Sequence, residues 1–350
     1  MVLSGYRKGL LYAGIAATLL TAVVVVLGAF TRLSDAGLGC PDWPGCYGHL
    51  TWPKSEGAIA AAEARFPEFP VEHDKTWPEM VHRYFAGLLG LVILAITVSV
   101  WRKAHALPLH EYPRWHTLSL LLLVIVQALF GMWTVTLKLW PQIVTAHLLG
   151  GFATLTLLWL LVQRTGNFQW SLPESQRRFR NRTLWLALLV TLLVIMQIAL
   201  GGWTSANYAA LACTDFPRCH NEWWPAMDFH SGFDIAQDIG PNYLGGLLEN
   251  EARTAIHMTH RIGALIVTVT LLWLIFRLLR SALSRSKPLA LFLLVVLCLQ
   301  IMLGITNVLA SLPLTVAVAH NATGALLLLT MVTLCHRLMT ARFENGRSLP

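Results

Sequence analysis

The chain has 350 residues, of which 55% are hydrophobic and only 13% are charged. A soluble domain carries roughly twice that fraction of charged residues, so the composition indicates an integral membrane protein. The net charge of +8 is divided among short segments between apolar runs, which argues against nucleic-acid binding. No nucleotide-binding loop, zinc-protease motif or serine-nucleophile motif is found, so phosphate chemistry and hydrolysis have no support.

Eight apolar segments are long enough to cross a bilayer as helices. The first is long for a signal peptide and is not followed by a small-residue cleavage site, so we interpret it as a retained span. The predicted fold class is therefore an all-α integral membrane protein with eight transmembrane helices. They are predicted at residues 10–30, 82–101, 116–136, 143–163, 183–203, 257–277, 288–308 and 315–336.

The charges are sorted along the chain. Seventeen of the 26 basic residues lie near the N-terminus, in the segments after the second, fourth and sixth spans, and in the C-terminal tail. Fifteen of the 18 acidic residues lie in two long loops, 31–80 and 204–255, or at the helix ends beside them. Positive charge marks the cytoplasmic side, which predicts that both termini are cytoplasmic and both long loops are outside. Without a transit peptide, a bacterial inner membrane is the expected location.

The second half of the sequence repeats the first. Four pairs of residues share a spacing of 173: Cys40 with Cys213, Cys46 with Cys219, Gln127 with Gln300, and His147 with His320. Such a constant offset indicates an internal duplication, which predicts two four-helix bundles related by a pseudo-twofold axis along the membrane normal. We expect an N-terminal bundle at 1–165, a cytoplasmic linker at 166–182 and a C-terminal bundle at 183–350.

Four histidines lie near one end of predicted spans, at matched depth in the two halves: His82, His147, His260 and His320. Two imidazoles that face each other across a helix bundle can ligate a heme iron from both sides. The alternative for any one of them is a hydrogen-bonded packing role. A zinc or copper site would need more ligands than two histidines in each half. The pattern favours one heme in each half.

Two further side chains lie beside these histidines. Glu79 is one helical turn before His82, so it shares a helix face with it, and the aligned position in the second half is His257. A carboxylate in only one half suggests that one site does chemistry, with Glu79 moving protons, while the other carries electrons. The alternative is a carboxylate stabilised by the helix dipole. His257 is expected to stack or hydrogen-bond near its heme.

Each half of the chain also has an arginine directly after the first of its two histidines. Arg83 follows His82 and Arg261 follows His260. A guanidinium binds carboxylates in a bidentate manner, which predicts contacts with heme propionates. The alternative is that both side chains extend to lipid headgroups.

The outer loops contain two pairs of cysteines, Cys40 with Cys46 and Cys213 with Cys219. Paired cysteines at short spacing on the oxidising side of a membrane are typical of disulfides. Their role stays open between a structural staple and a thiol relay that passes electrons to the site. Within the spans, three glutamines precede a glycine by four residues and are expected to make interhelical hydrogen bonds: Gln127, Gln197 and Gln300.

Three stretches together resemble the heme A synthase family: Gly28–Pro44 (GAFTRLSDAGLGCPDWP), Glu79-x-x-His82-Arg83, and His257-Met-Thr-His260-Arg261. The resemblance covers all eight spans. It implies that a ring methyl group of heme O is oxidised to a formyl group, giving heme A for terminal oxidases. It also implies that His260 and His320 hold a heme B cofactor, that His82 and His147 receive heme O, and that turnover needs Glu79. The cysteine pairs match members of the family that carry them in both halves.

Other interpretations stay open. A di-heme electron carrier that exchanges with quinol would use all four histidines as permanent ligands and would not need Glu79. A heme transporter or chaperone would bind heme loosely at one pair and release it unchanged. Heme O synthase and oxidase assembly factors are candidate partners beside the lipid bilayer, while the sequence leaves the electron donor and a homo-oligomeric state open.

Overall fold

The computed structural model describes residues 5–103, 113–281 and 283–344. Within these ranges eight helices are long and apolar enough to cross a membrane, which confirms the predicted all-α membrane fold. The α-helices are α1 (Gly5–Leu33), α2 (Glu56–Arg65), α3 (His73–Lys103), α4 (Arg114–Thr136), α5 (Pro141–Gly166), α6 (Arg177–Ala206), α7 (Phe229–Gly232), α8 (Asn250–Leu279), α9 (Lys287–Leu309) and α10 (Leu314–Met339).

Three of the spanning helices begin at least six residues earlier than the hydropathy pattern predicted. Helix α3 begins at His73 instead of 82, α6 at Arg177 instead of 183, and α8 at Asn250 instead of 257. Hydropathy detects the apolar window, whereas backbone hydrogen bonding continues the helix through polar turns on either side of it. The long loops are accordingly 34–72 and 207–249, shorter than the predicted 31–80 and 204–255. Glu79 therefore lies inside α3, more than one turn from its start.

Each half forms a ring of four packed helices. In the first half, α1 and α4 each contact α3 and α5; in the second, α6 and α9 each contact α8 and α10. The two rings meet along α1, α5, α6 and α10. A large buried core fills the second ring, with Leu271, Leu293 and Met331 at its centre, and it extends onto α5 through Phe152 and Leu155.

Residues 173 positions apart meet where α1 and α6 end. Nη2 of Arg32 donates to the carbonyl of Ser205 at 2.6 Å, and the hydroxyl of Tyr208 donates to Oδ1 of Asp35 at 2.8 Å. Equivalent positions of two repeats approach each other only near the axis that relates them. The pseudo-twofold axis expected from the duplication would therefore pass through this cluster. We call this end of the bundles, which carries loops 34–72 and 207–249, the loop end.

The two long loops fold alike around their disulfides. Both expected bonds, Cys40–Cys46 and Cys213–Cys219, are formed. In the second loop Asp215 accepts backbone N–H groups from His220 and Asn221, and the hydrogen bond from Asn221 contributes most to holding the pKa of Asp215 below its usual range. In the first loop Asp42 makes the same contacts with residues 47 and 48. Burial raises the pKa of Tyr47 to about 12.

The opposite end carries a feature that the sequence did not predict. Strand β1 (Ser171–Pro173), between α5 and α6, pairs in parallel with strand β2 (Arg342–Glu344), which follows α10. Arg177 lies over the ring of Phe343 at 4.4 Å. This two-stranded sheet joins the end of the second ring to the connection between the halves. We call the end of the bundles that carries this sheet the linker end. The domain boundaries at 165 and 182 stay predictions.

Candidate functional site

All four predicted histidines line one continuous cavity with a volume of about 1870 Å³. Pockets for single small molecules usually have volumes of roughly 300–1,000 Å³, so this cavity is large enough for two bulky ligands. His82 on α3 and His147 on α5 lie in the first ring, and His260 on α8 and His320 on α10 lie in the second. The fold therefore brings together each pair that the repeat predicted.

The first pair has the spacing of two ligands on one metal ion. The ring centroids of His82 and His147 are 6.4 Å apart, with an interplanar angle of 88°. Two metal–nitrogen bonds of roughly 2.0–2.1 Å, together with the distance from each nitrogen to its ring centre, account for about this separation. Nδ1 of both rings is buried without a hydrogen-bond partner. A buried polar atom without a partner is costly, so these imidazoles suit a ligand between them.

Glycines make room for these rings on the neighbouring helices. A Cβ atom built on Gly28 of α1 would lie 2.9 Å from Cε1 of His82, and one built on Gly131 of α4 would lie 3.6 Å from Cε1 of His147. The second half repeats the arrangement with Gly201 against His260 and Gly304 against His320. The Gln-x-x-x-Gly pattern seen in the sequence thus places a glycine against an imidazole in α4, in α6 and in α9.

The second pair differs from the first because glutamines contact both of its rings. Nε2 of Gln197 on α6 lies 3.0 Å from Nδ1 of His260 and donates to the His260 carbonyl at 2.9 Å. Nε2 of Gln300 on α9 lies 3.2 Å from Nε2 of His320. These bonds confirm the expected interhelical role of two of the three glutamines. These contacts orient the two rings. The outer partner of a ligating histidine accepts its second ring N–H, a role that the unpartnered amide oxygen of each glutamine can take.

The first half lacks both contacts. The repeat-related position of Gln197 is Val24, whose side chain cannot hydrogen-bond. Gln127, the equivalent of Gln300, is buried with neither amide atom partnered. Nδ1 of His82, of His147 and also of His320 is buried without a hydrogen-bond partner. The second pair is therefore distinguished by the glutamine beside each of its rings. The sequence signal for this difference was available, because Val24 and Gln197 break the repeat.

Glu79 lines the same cavity as His82 and also holds the disulfide loop. Its Oε2 accepts the backbone N–H of Cys40 at 2.8 Å, and its Oε1 forms an ion pair with Arg83. Arg83 in turn donates to the carbonyl of Asp42 at 2.9 Å and to that of Pro44 at 3.3 Å. With only 4% of its surface exposed, Glu79 connects α3 to loop 34–72 at the wall of the cavity.

His257 occupies the equivalent place in the second half. Its Nδ1 faces the backbone N–H of Cys213 at 3.3 Å, and its Nε2 faces Nε of Arg261 at 3.2 Å. A neutral imidazole has a single acceptor nitrogen, so only one of these contacts is a hydrogen bond at a time. Arg261 also donates to loop carbonyls, including that of Asp215 at 2.9 Å. Position 257 thus keeps the loop contacts of Glu79 without its negative charge.

Both arginines predicted to bind propionates are engaged by their own loops. Arg83 and Arg261 line the cavity, but their guanidinium groups bind the carbonyls of the disulfide loops. Their contact with propionates stays a prediction. A third arginine, Arg32 on α1, also lines the cavity, and sequence reasoning did not select it.

The residues present fit a planar iron-bearing group better than a bare metal ion. Among the residues that the structure describes, no cluster of three His, Cys, Asp or Glu side chains is close enough to hold a metal. Two imidazoles on opposite sides of an apolar cavity suit a porphyrin, because its ring nitrogens supply the other ligands. Together, fold and site define a multi-pass, all-α membrane protein with two histidine pairs facing one internal cavity.

Comparison with known proteins identifies the family of the chain. Residues 12–332 match the model of the COX15-CtaA family, described as cytochrome oxidase assembly protein. The chain is 46% identical to heme A synthase from Shewanella oneidensis over 314 residues, which cover 90% of this chain and 92% of that protein. It is 28% identical to heme A synthase from Caulobacter vibrioides, covering 91% and 92% of the two chains. The protein therefore belongs to the COX15-CtaA family, which confirms the resemblance found in its sequence.

Proposed function

We propose that this protein is a heme A synthase, an oxidoreductase that converts a ring methyl group of heme O into the formyl group of heme A for terminal oxidases. Support comes from the family membership and from relatives named heme A synthase that match this chain over most of their length. In this proposal the protein lies in a bacterial inner membrane with both termini in the cytoplasm. Heme O synthase and oxidase assembly factors are its expected partners.

The observation that carries the proposal is the difference between the two halves of one cavity. Among the described residues, no glutamine is hydrogen-bonded to the first pair, His82 and His147, and a carboxylate, Glu79, lies in the same cavity wall. The second pair, His260 and His320, is held by glutamines and has a neutral side chain at the position of Glu79. An exchanging substrate suits the first site, and a permanent cofactor suits the second.

The residues then take distinct roles. His82 and His147 bind heme O within residues 1–165, and His260 and His320 hold heme B within residues 183–350. The heme B cofactor, when bound, supplies a one-electron redox centre beside the substrate. Glu79 accepts or donates protons at the substrate methyl group. At each of two successive hydroxylations an external oxidant takes two electrons from the methyl carbon, and the resulting gem-diol loses water to form the aldehyde. Its hydrogen bond from the Cys40 amide and its ion pair with Arg83 keep the carboxylate oriented.

The experiment is expression in cells that make heme O but no heme A, followed by extraction and mass spectrometry of the hemes. We expect hydroxylated and formyl hemes from the wild-type protein, and their loss in Glu79→Gln. The matched control is Glu72→Gln, which removes another carboxylate near the same loop, one that is paired with Lys75 and about half exposed. If the wild-type protein yields only unmodified heme O and heme B, the proposal is wrong.

A di-heme electron carrier is the second candidate, because Glu79 and His257 make equivalent contacts. Both face a cysteine backbone N–H and an arginine one turn later. If position 79 serves only to hold its loop, the carboxylate has no chemical role, and two equal hemes would remain. Two unmodified hemes per chain in the extraction experiment would favour this candidate.

A further inference from the structure

Among the described residues, three guanidinium groups line the cavity: those of Arg32, Arg83 and Arg261. Arg83 and Arg261 are bound to loop carbonyls and to the side chains at positions 79 and 257. Arg32 is engaged differently, since its one close hydrogen bond joins Nη2 to the carbonyl of Ser205 at 2.6 Å. Its Nε is buried without a hydrogen-bond partner. Arg32 is therefore the arginine of the three with a buried donor left unused.

Arg32 lies at the junction of the two sites. It is one helical turn beyond Gly28, which abuts His82, and its contact Ser205 is one turn beyond Gly201, which abuts His260. Because Arg32 and Ser205 are repeat-related, the guanidinium lies near the expected pseudo-twofold axis, at the loop end of the cavity. A group bound there is close to both histidine pairs.

The guanidinium is fixed in orientation before any ligand binds. It lies over the ring of Tyr208, with 4.2 Å from Cζ to the ring centroid, and the hydroxyl of Tyr208 donates to Asp35. Asp35 is the nearest anion, with its Oδ1 3.5 Å from Nη1, and its side chain is 53% exposed. Solvent weakens the pull of so exposed a carboxylate without abolishing it, so Asp35 competes for the cation but leaves it most of its attraction for an anion on the cavity side.

The chemistry of the expected ligand supplies such an anion. A porphyrin held between two histidines carries two propionate carboxylates, and a charged carboxylate is strongly disfavoured in the apolar interior. The propionates therefore face the loop end, where a guanidinium offers the best geometry for a carboxylate. We propose that Arg32 binds a heme propionate at the junction of the two halves. This inference rests on heme binding at the histidine pairs, but not on the oxidation of heme O.

A purely structural role for Arg32, in which it only ties α1 to α6, predicts different behaviour. Loss of a structural tie lowers thermal stability without changing the electrostatics of a bound heme. Loss of a cation beside a heme stabilises the ferric form, which carries one more positive charge, and so lowers the midpoint potential. The midpoint potential therefore distinguishes the two roles.

The test uses the full-length protein loaded with heme B, in two backgrounds that each keep one histidine pair: His82→Ala with His147→Ala, and His260→Ala with His320→Ala. Midpoint potential and heme release are measured for each. We expect Arg32→Gln to lower the potential and to speed heme release roughly tenfold in at least one background. Arg32→Lys keeps the charge and is expected to restore most of the potential.

The matched control is Arg253→Gln. Arg253 also lies at the loop end, where it donates to the carbonyls of Leu248 and Gly246, but it does not line the cavity. We expect the control to leave the potential unchanged. Wild-type potential and heme release in Arg32→Gln, in both backgrounds, would overturn the inference.

A second variant keeps the test decisive if Arg32→Gln fails to fold. Asp35→Asn keeps an oxygen that can accept the Tyr208 hydroxyl, and it removes the anion that competes for Arg32. It should raise the midpoint potential, and an unchanged or lowered potential would contradict the inference. Formyl-heme production by the wild-type protein is scored separately. Heme binding without conversion refutes the proposed function alone, and conversion with potentials independent of Arg32 refutes this inference alone.

Discussion

Gln197 is hydrogen-bonded to His260, with its amide nitrogen 3.0 Å from the ring Nδ1 and 2.9 Å from the backbone carbonyl. The equivalent residue in the first half is Val24, which leaves the ring of His82 without this partner. Two sites built from one repeated sequence thus differ in how firmly their histidine side chains are held. We propose that this difference is the physical basis for a retained cofactor at one site and an exchanging substrate at the other.

Replacing Gln197 with Leu should weaken heme B binding at the second pair. The loss of an outer partner of a metal-ligating histidine typically costs about 10- to 100-fold in affinity. Heme B content per chain and its release rate would measure the effect. Gln142→Leu is the matched control, because Gln142 donates to the carbonyl of Ile235 and does not line the cavity. Equal heme retention in both variants would show that Gln197 does not hold the ligand.

A methyl group added at Gly28 should displace His82. Its Cβ would lie 2.9 Å from the imidazole, closer than real contacts allow, whereas a Cβ at Gly131 would make an ordinary 3.6 Å contact with His147. We therefore expect Gly28→Ala to lose most heme O binding at the first pair and Gly131→Ala to keep it. Spectra of protein loaded with heme O would compare the two variants. Similar loss in both would mean that space beside the ring is not what the glycines provide.

The chemical role of the Glu79 carboxylate should be separable from the role of this side chain in anchoring loop 34–72. The amide oxygen of Glu79→Gln can still accept the Cys40 N–H, so loop 34–72 should resist proteolysis almost as well as in the wild-type protein. Glu79→Ala loses this acceptor and should expose the loop. Turnover in Glu79→Gln should nevertheless fall by about 10²- to 10⁴-fold if the side chain transfers protons. A protected loop with normal turnover would assign Glu79 to structure alone.

The disulfide of the first loop is expected to act as a staple. Replacing Cys40 and Cys46 with Ala removes a constraint on a short loop, which corresponds to about 2 kcal/mol of stabilisation in the chain-entropy model. We expect a lower unfolding temperature, with turnover largely kept when an artificial reductant is supplied. The double variant at Cys213 and Cys219 is the comparison in the second loop. If turnover is lost only in the first-loop variant, and its heme content is normal, a thiol relay is the better explanation.

The spans, the pairing of the histidines and both disulfides could be predicted because each depends on a local or repeated pattern. Twenty apolar residues require a spanning helix, and a constant offset of 173 places His147 and His320 in equivalent positions. Helix starts were less accurate, since the polar turns before His82 and before His257 carry no hydropathy signal.

The contacts between the two halves could not be predicted from the sequence pattern. Arg32 looked like one more charge at a helix end, and its place beside Ser205 and Tyr208 depends on how the two rings pack. The engagement of Arg83 by loop carbonyls depends on the path of a 39-residue loop, 34–72, which no periodicity describes. Pairing of β1 with β2 likewise joins segments that are far apart in the chain.

The most direct measurement of the central claim, that the two pairs divide substrate from cofactor, is the identity of the heme held at each pair. His82→Ala with His147→Ala, and separately His260→Ala with His320→Ala, would be purified from cells that make heme B and heme O. Extracted hemes would be identified by mass spectrometry. The first variant should keep heme B and lose heme O, and the second should lose heme B and form no heme A. Equal heme B at both pairs, with no heme O at either, would contradict the account.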